Sequence, residues 1–485
     1  MTRVAVVGGG ITGLVAAREL ALAGADVVVL EQGARWGGKL DRTLVDEVAL
    51  DTGAESVLAR RPEALRLITA LGLDAQRVHP TAAKPQLLVE GRLHALPPSL
   101  QGVPVAVEPL ADLLTPQGYA YAAGEPGRPA PPLAGDVTIG GYVAERFGPE
   151  VTDRLLEPLL GGVYAGRSRD LSFAAVAPDL FARARTGGSL LEHARASLRP
   201  ASGTLVFAGL VGGVAGLVQA LVADLSARGA RLRTATAVRG LEQTASGRWQ
   251  LACGSAADPE LLDVDGVLVA VPAGPAGRLT AGLLPHADAY AAVPYASVAV
   301  VTLVVRGLRT DRSGLLVPPG QLPTIKALTH SSVKWDWVRE RAEATWGPGV
   351  AVVRASVGRI GEEALLQLAD EALVERTWAE ARTLPGWADV ELVQARLARW
   401  GGALPQYRVG HRALVAGLRE DLARRPGLAL AGAALDGVGI AACVASATTA
   451  ATKIITDLRL PDHDRQPGVP GPQHENHDRL EESRR

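Results

Sequence analysis

Gly8, Gly10 and Gly13 stand in G-x-G-x-x-G spacing, directly after the apolar, β-branched run Thr2 to Val7. The chemistry this pattern serves is the cradling of a pyrophosphate. Gly8 permits a tight turn, Gly10 lets the backbone approach the phosphates, and Gly13 lets helix and strand touch. A helical stretch from Leu14 to Leu22 follows, and its N-terminus presents unpaired N–H groups to an anion. Gly24 can end that helix. Asp26 to Leu30 then reads as a second strand closing on Glu31, which is placed to accept from a ribose hydroxyl. Strand, glycine turn, helix, strand and acid in register predict a bound dinucleotide.

The continuation favours FAD over NAD. Arg35-Trp36-Gly37-Gly38-Lys39 follows Glu31, and Asp51-Thr52-Gly53-Ala54-Glu55-Ser56 comes soon after. A second glycine pair gives another close backbone approach, as a long extended cofactor needs. Far downstream, Leu428 to Ala431 reads as a short strand. Gly432, Asp436-Gly437-Val438-Gly439-Ile440 and an Ala-rich helix to about Leu458 complete another strand–glycine–helix unit. Such a unit can set a helix N-terminus beside a flavin ring.

These pieces must be positioned by a chain of 485 residues, long enough for two or three domains with sizeable cores. A net charge of −1, without a basic tail, gives no sign of a nucleic-acid partner. Cys253 and Cys443 are the two cysteines and lie far apart, which argues against a disulfide framework or a metal site and fits a reducing cytoplasm. Arginine, glycine or proline breaks every apolar run before it reaches the length of a bilayer span. No Ser/His/Asp or Cys/His constellation suggests a nucleophile.

Between the two ends, residues 60–72 read as an amphipathic helix, and Leu87 to Val89 with Leu93 to Leu96 read as a hairpin. From about 98 to 200 the pattern is helical, with Pro/Gly breaks near 124–135. Gly212-Gly213 precede an apolar helix. Arg231 to Thr236, Trp249 to Ala252, Val267 to Val271 and Val298 to Val305 read as strands, the last suited to a sheet covered on both faces. Glu363 to Arg382 reads as one long helix. The tail from Pro461 has little to bury and is expected to be disordered. The expected organisation is a cofactor domain interrupted by other domains, with the active site at their interface.

Several middle segments are more specific. They are Gly53-Ala54-Glu55-Ser56 with Leu58-Ala59-Arg60-Arg61, Gly91-Arg92-Leu93-His94-Ala95-Leu96-Pro97, and Leu156-Glu157-Pro158-Leu159-Leu160-Gly161-Gly162-Val163-Tyr164-Ala165-Gly166. Pro294 to Val298, Arg354 to Arg359 and Leu404-Pro405-Gln406-Tyr407 add to them. On these the chain, from about residue 3 to 458, resembles the oxygen-dependent coproporphyrinogen III oxidase / protoporphyrinogen oxidase family of FAD enzymes. The resemblance implies an α/β plus α+β fold: a Rossmann-like FAD-binding domain of the glutathione-reductase-like, amine-oxidase type, interrupted by a mixed-sheet substrate domain and a helical domain. The division it suggests is FAD-binding 1–80, 201–280 and 391–460, substrate-binding 81–97 and 281–390, helical 98–200, and a tail 461–485.

Carried over position by position, the resemblance implies FAD contacts at Gly8, Gly9, Gly10, Ile11, Thr12, Gly13, Glu31, Gln32, Lys39, Gly53, Ala54, Glu55, Ser56, Val238, Trp400, Val438, Gly439 and Ile440. It implies substrate contacts at Lys84, whose cation would meet a propionate, at the carbonyl of Gly162 and its loop, at Leu316 and at Arg354. Arg354 lies in an apolar strand, so it either pairs with an internal acid or faces an anionic substrate. Glu55 stands where animal members carry arginine, so any substrate role of that side chain does not transfer. Ala441 replaces a frequent proline, and His411 reads as structural. No protein side chain is assigned as catalytic, because flavin N5 would accept the hydride. The implied reaction is three successive two-electron oxidations of a porphyrinogen, with O2 reoxidising the flavin and H2O2 released. Lys84 favours coproporphyrinogen III over protoporphyrinogen IX. A flavin amine oxidase using Lys326 is the nearest rival, and few aromatics are available for its cage. Weak membrane docking through an apolar stripe at Leu155, Leu156, Leu159 and Leu160, transient contact with other haem-pathway enzymes, and a monomer or homodimer are all compatible with the resemblance.

Overall fold

Three β-branched runs, Arg3–Val7, Asp26–Leu30 and Gly266–Val269, are buried along almost their whole length. Residues apolar on both faces need cover on both sides, and parallel sheets supply it. In the computed structural model, which describes residues 1–198 and 205–461, these strands form the centre of a five-stranded parallel sheet. Its order is Arg231–Arg233, Asp26–Leu30, Arg3–Val7, Gly266–Val269, Leu428–Leu430. Strands from both ends and the middle of the chain thus share one sheet. The helix Ile11–Leu22 lies on it, and the helices Gly216–Ala227 and Ile440–Asp457 pack with it around one apolar cluster containing Leu14, Leu20, Leu217, Leu221 and Ile454.

A seven-stranded sheet forms the second layer. Its order is Glu391–Pro405, Tyr295–Arg306, Val350–Val357, Ile325–His330, Gly314–Leu316, Pro85–Val89, Arg92–Ala95. All pairings are antiparallel except that of Gly314–Leu316 with Pro85–Val89. Alternation along the strands sorts side chains to two faces. Val353, Ala355, Leu328 and Leu315 point into an outer cluster with Leu373 and Trp387. Leu316 packs the other way, against the helical insert between residues 108 and 196.

One expected element changes, and one strand gains neighbours that the sequence did not announce. The stretch Glu363 to Arg382 is a 3₁₀ turn, Glu363–Gln367, and then a separate helix, Asp370–Ala381. Leu368 and Ala369 between them are extended (ψ 150° and 155°), and Asp370 and Glu371 then complement the new N-terminus. Around Trp249–Gly254 there is a three-stranded antiparallel sheet, with Val238–Gln243 and Pro259–Val264 on either side. Those flanking strands are largely exposed and mixed in character, which removes the apolar signal. The expected tail lies, from residue 462, outside the described residues. Among the described residues no helix is long and apolar enough to cross a membrane. Cys253 and Cys443 are both free and buried.

Candidate active site

At the C-terminal end of the parallel strands, Gly8 adopts φ +110° and its N–H bonds Leu30 O at 2.8 Å. A Cβ on Gly13 would lie 1.9 Å from Gly8 O, so the helix rests directly on the turn. Ile11–Leu22 starts at Gly10 without a side-chain cap, and a Cβ at Gly10 would meet nothing within 4 Å. The second long helix, Ile440–Asp457, starts the same way at Gly439, also in open space. The two helices pack along each other, and the Thr12 side chain lies beside that of Cys443. Gly37 N donates to Gly9 O at 2.8 Å, so the segment before Lys39 lies across the turn. Burial lowers the Lys39 ammonium from 10.5 to about 8, with nearby Cys443 acting in the opposite sense. The ammonium sits 5.2 Å from the Tyr295 ring centre.

Glu31 closes the second strand as expected by position, and its carboxylate pins the turn. Oε2 accepts from Gly9 N at 2.8 Å and Oε1 from Gly33 N at 2.6 Å. Each oxygen keeps acceptor capacity for a hydroxyl. Thr236 N donates to Glu31 O, which brings Val238, at the start of its strand, to the same edge. Gln32 and Ala54 are exposed, and Ser56 is half-buried. Two uncapped, unobstructed helix N-termini and a carboxylate at the strand end fit a pyrophosphate and a ribose.

The segment 51–56 crosses to the seven-stranded sheet. Trp400 Nε1 donates to Thr52 O at 2.9 Å, and a Cβ at Gly53 would lie 3.6 Å from the Trp400 ring and 2.1 Å from Lys39 O. Of the two kinds of partner open to Arg354, the structure provides the internal acid. Its Nη1 bonds Glu55 Oε2 at 2.7 Å and its Nη2 bonds Gly53 O at 2.5 Å. Lys334 Nζ holds the other Glu55 oxygen at 2.5 Å. Burial opposes ionisation of Glu55, but Lys334 and Arg354 outweigh it and hold the carboxyl at about 2. Lys334, Trp335 and Ser331, which complete this cluster, carry no sequence signal of their own. The departure at Glu55 was the available signal, since a buried acid requires a cation.

Leu316 and Gly162 meet: a Cβ on Gly162 would lie 3.9 Å from Leu316 Cδ2. Gly162 is not in a loop, as expected, but in the last turn of the helix Glu157–Tyr164, which Ala165 ends in the left-handed region. A last-turn carbonyl lacks an intrahelical partner, so it stays available to a donor. Gly162 and Val163 are exposed there, beside Leu316. Lys84 is also exposed, one residue before the strand Pro85–Val89, whose Leu87 pairs with Leu316. Lys326 is buried beside Arg359 and Glu362; burial lowers it to about 7. His411 stacks on Tyr407 with ring centres 4.3 Å apart, and burial lowers it to about 4, so it sits neutral within packing.

A family model described as flavin containing amine oxidoreductase matches residues 11–455. The chain belongs to that family. Within this flavoenzyme family the sequence is 37% identical over 464 residues to a coproporphyrinogen III oxidase of Mycobacterium tuberculosis, covering 93% of this chain and 97% of the relative. It is 30% identical over 485 residues to human protoporphyrinogen oxidase, covering 93% and 98%. A crystal structure described as a putative protoporphyrinogen oxidase from Exiguobacterium sp. 255-15 superposes with a TM-score of 0.81 at 30% identity, covering 94% of this chain and 99% of that one. The resemblance drawn from the middle segments is therefore established, and the protein is an FAD-dependent oxidoreductase of the coproporphyrinogen III oxidase / protoporphyrinogen oxidase family.

Proposed function

We propose that the protein oxidises coproporphyrinogen III to coproporphyrin III in haem biosynthesis, using FAD and O2 and releasing H2O2. The observation that carries this reading is the identity to a coproporphyrinogen III oxidase along 93% of the chain. The arrangement of the candidate residues is consistent with it. Gly8 to Gly13, Glu31, Gln32, Lys39, Gly53 to Ser56, Val238, Trp400 and Val438 to Ile440 are the proposed FAD-binding set. When bound, FAD supplies a two-electron acceptor. The chain supplies orientation and dryness. Leu316 offers an apolar face to the macrocycle, the Gly162 carbonyl an acceptor for a pyrrole N–H, and Lys84 a cation for a propionate at the rim. For Arg354 we propose no substrate contact, because its guanidinium is already bonded to Glu55 and Gly53. As a working division we retain the FAD-binding, substrate-binding and helical domains at the boundaries given above.

Protoporphyrinogen IX is the second candidate, favoured by the 30% identity to the human enzyme. An amine oxidase reading has less support: aromatics are 4% of the chain and Lys326 lies among Arg359 and Glu362. The deciding experiment mixes purified holoenzyme anaerobically with each porphyrinogen, or with a polyamine, and follows flavin bleaching. Faster bleaching by coproporphyrinogen III is expected. Faster bleaching by protoporphyrinogen IX reverses the assignment, and bleaching by the amine alone overturns it.

A further inference from the structure

The loop 51–56 takes bonds from two units of the fold. On one side Asp51 accepts from Val214 N and Ala215 N at 2.9 and 3.1 Å, just ahead of the helix Gly216–Ala227 that packs on the parallel sheet. On the other side every donor belongs to the seven-stranded sheet or its appended helix: Trp400 to Thr52 O, Arg354 to Gly53 O and Glu55, and Lys334 to Glu55. Trp335 Nε1 adds a longer bond to Glu55 at 3.4 Å. Arg354 is opposite Thr329 in register, while its neighbours Val353 and Ala355 point into the outer cluster. Arg354 therefore stands on the same face as Leu316, the face on which Leu316 packs against the helical insert.

We infer that Glu55 and Arg354 are positioning residues for the redox reaction. Together they set how closely the loop that helps hold FAD approaches the sheet face that receives the substrate. The inference rests on the functional reading above. Its physical basis is the fork of Arg354. One guanidinium binds a carboxylate and, through its other terminal nitrogen, the carbonyl two residues earlier. That fixes the orientation of the loop as well as its distance, and a lysine ammonium cannot do both. The three charged side chains are only 11% (Arg354), 14% (Glu55) and 21% (Lys334) exposed, so water cannot replace a lost partner readily. An ångström of misplacement between reacting groups costs up to about 100-fold in rate.

The test compares wild-type holoenzyme with Glu55→Gln, Arg354→Lys, Arg354→Met and the double variant E55Q/R354M. Three quantities are read: the limiting rate of anaerobic flavin reduction by coproporphyrinogen III, the substrate concentration at half saturation, and the visible circular dichroism of the bound flavin. The expected result is a limiting rate down about 10- to 100-fold in E55Q and R354K alike, with half saturation within about 3-fold of wild type. The double variant is expected to be no slower than the worse single one, because both remove the same strut. Wild-type rates in R354K, a rise in half saturation in place of the rate loss, or multiplying effects in the double variant would overturn the inference. If no porphyrinogen reduces wild-type flavin, the functional reading fails on its own. In that case the joint is judged by flavin dichroism and FAD dissociation. Altered dichroism with non-additive losses supports it, and unchanged dichroism or additive losses overturn it.

Discussion

The two ends of the proposed FAD site are built from opposite materials. The glycine turn at residues 8–13 is held by backbone amides, by backbone packed directly on backbone, and by one carboxylate that bonds the turn itself. The joint at residues 51–56 is held by side chains from residues roughly 280 to 350 positions away, most of them charged and half-buried. The first region binds by leaving atoms out, since a Cβ at Gly8, Gly9 or Gly13 would collide. The second binds by pairing charges, so each member depends on its partner. At Gly8 and Gly13 the obstacle is backbone, which cannot swing aside, whereas the joint tolerates conservative change only when both partners stay matched.

The sharpest way to break that contrast is Gly13→Ala. The new methyl would meet Gly8 O at 1.9 Å, a backbone atom that cannot swing aside. Protein purified from this variant should carry no flavin absorbance, and stoichiometric FAD in it would refute the account of the turn. Next comes pH, where two carboxylates of one loop should act with opposite sign. Glu55 is held at about 2, below its usual 4.5, so its stabilisation is fully present above 4.5 and is lost as pH falls through about 2. Asp51 is pushed up to about 6 by burial, against the pull of the Ala215 and Val214 amides, so its contribution is present below 3.8 and is lost as pH rises through about 6. Denaturant melts across pH should lose the acid-side slope in Glu55→Gln and the slope between 3.8 and 6 in Asp51→Asn. Identical slopes in wild type and both variants would dismiss the charge-based view of the joint. The smallest effect should come from Lys84→Met. An exposed cation contributes about 0.2–1 kcal/mol, so half saturation with coproporphyrinogen III should rise up to about 5-fold, with no change in the limiting rate. An unchanged half saturation would remove Lys84 from the proposed substrate set.

The same contrast explains what could be read from the chain. Asp26–Leu30 falls where its valines and flanking glycine put it, and Arg3–Val7 and Leu428–Leu430 come within one residue, because short buried parallel strands leave little freedom. Glu31 could be placed because the turn it serves is local. Lys334 could not be placed from sequence: nothing near residue 334 announces a carboxylate at 55, and only folding joins them. Arg354 could be narrowed to two kinds of partner by the cost of burying its charge, and the structure was needed to choose between them. The resemblance implied a loop at Gly162, yet the helix runs on to Tyr164. The exposed strands beside Trp249–Gly254 alternate too weakly to be seen, and Glu363 to Ala381 carries helix formers on both sides of a break made by two extended residues.

The sealed thiols have a consequence for endurance. Met1 is the chain's one methionine, and Cys253 and Cys443 are its two cysteines. Both thiols are buried, and burial pushes both above their ordinary pKa, so they stay protonated and slow to react at neutral pH. An oxidase that sheds peroxide with every cycle, as proposed, would therefore hold almost no sulfur within reach of its own by-product.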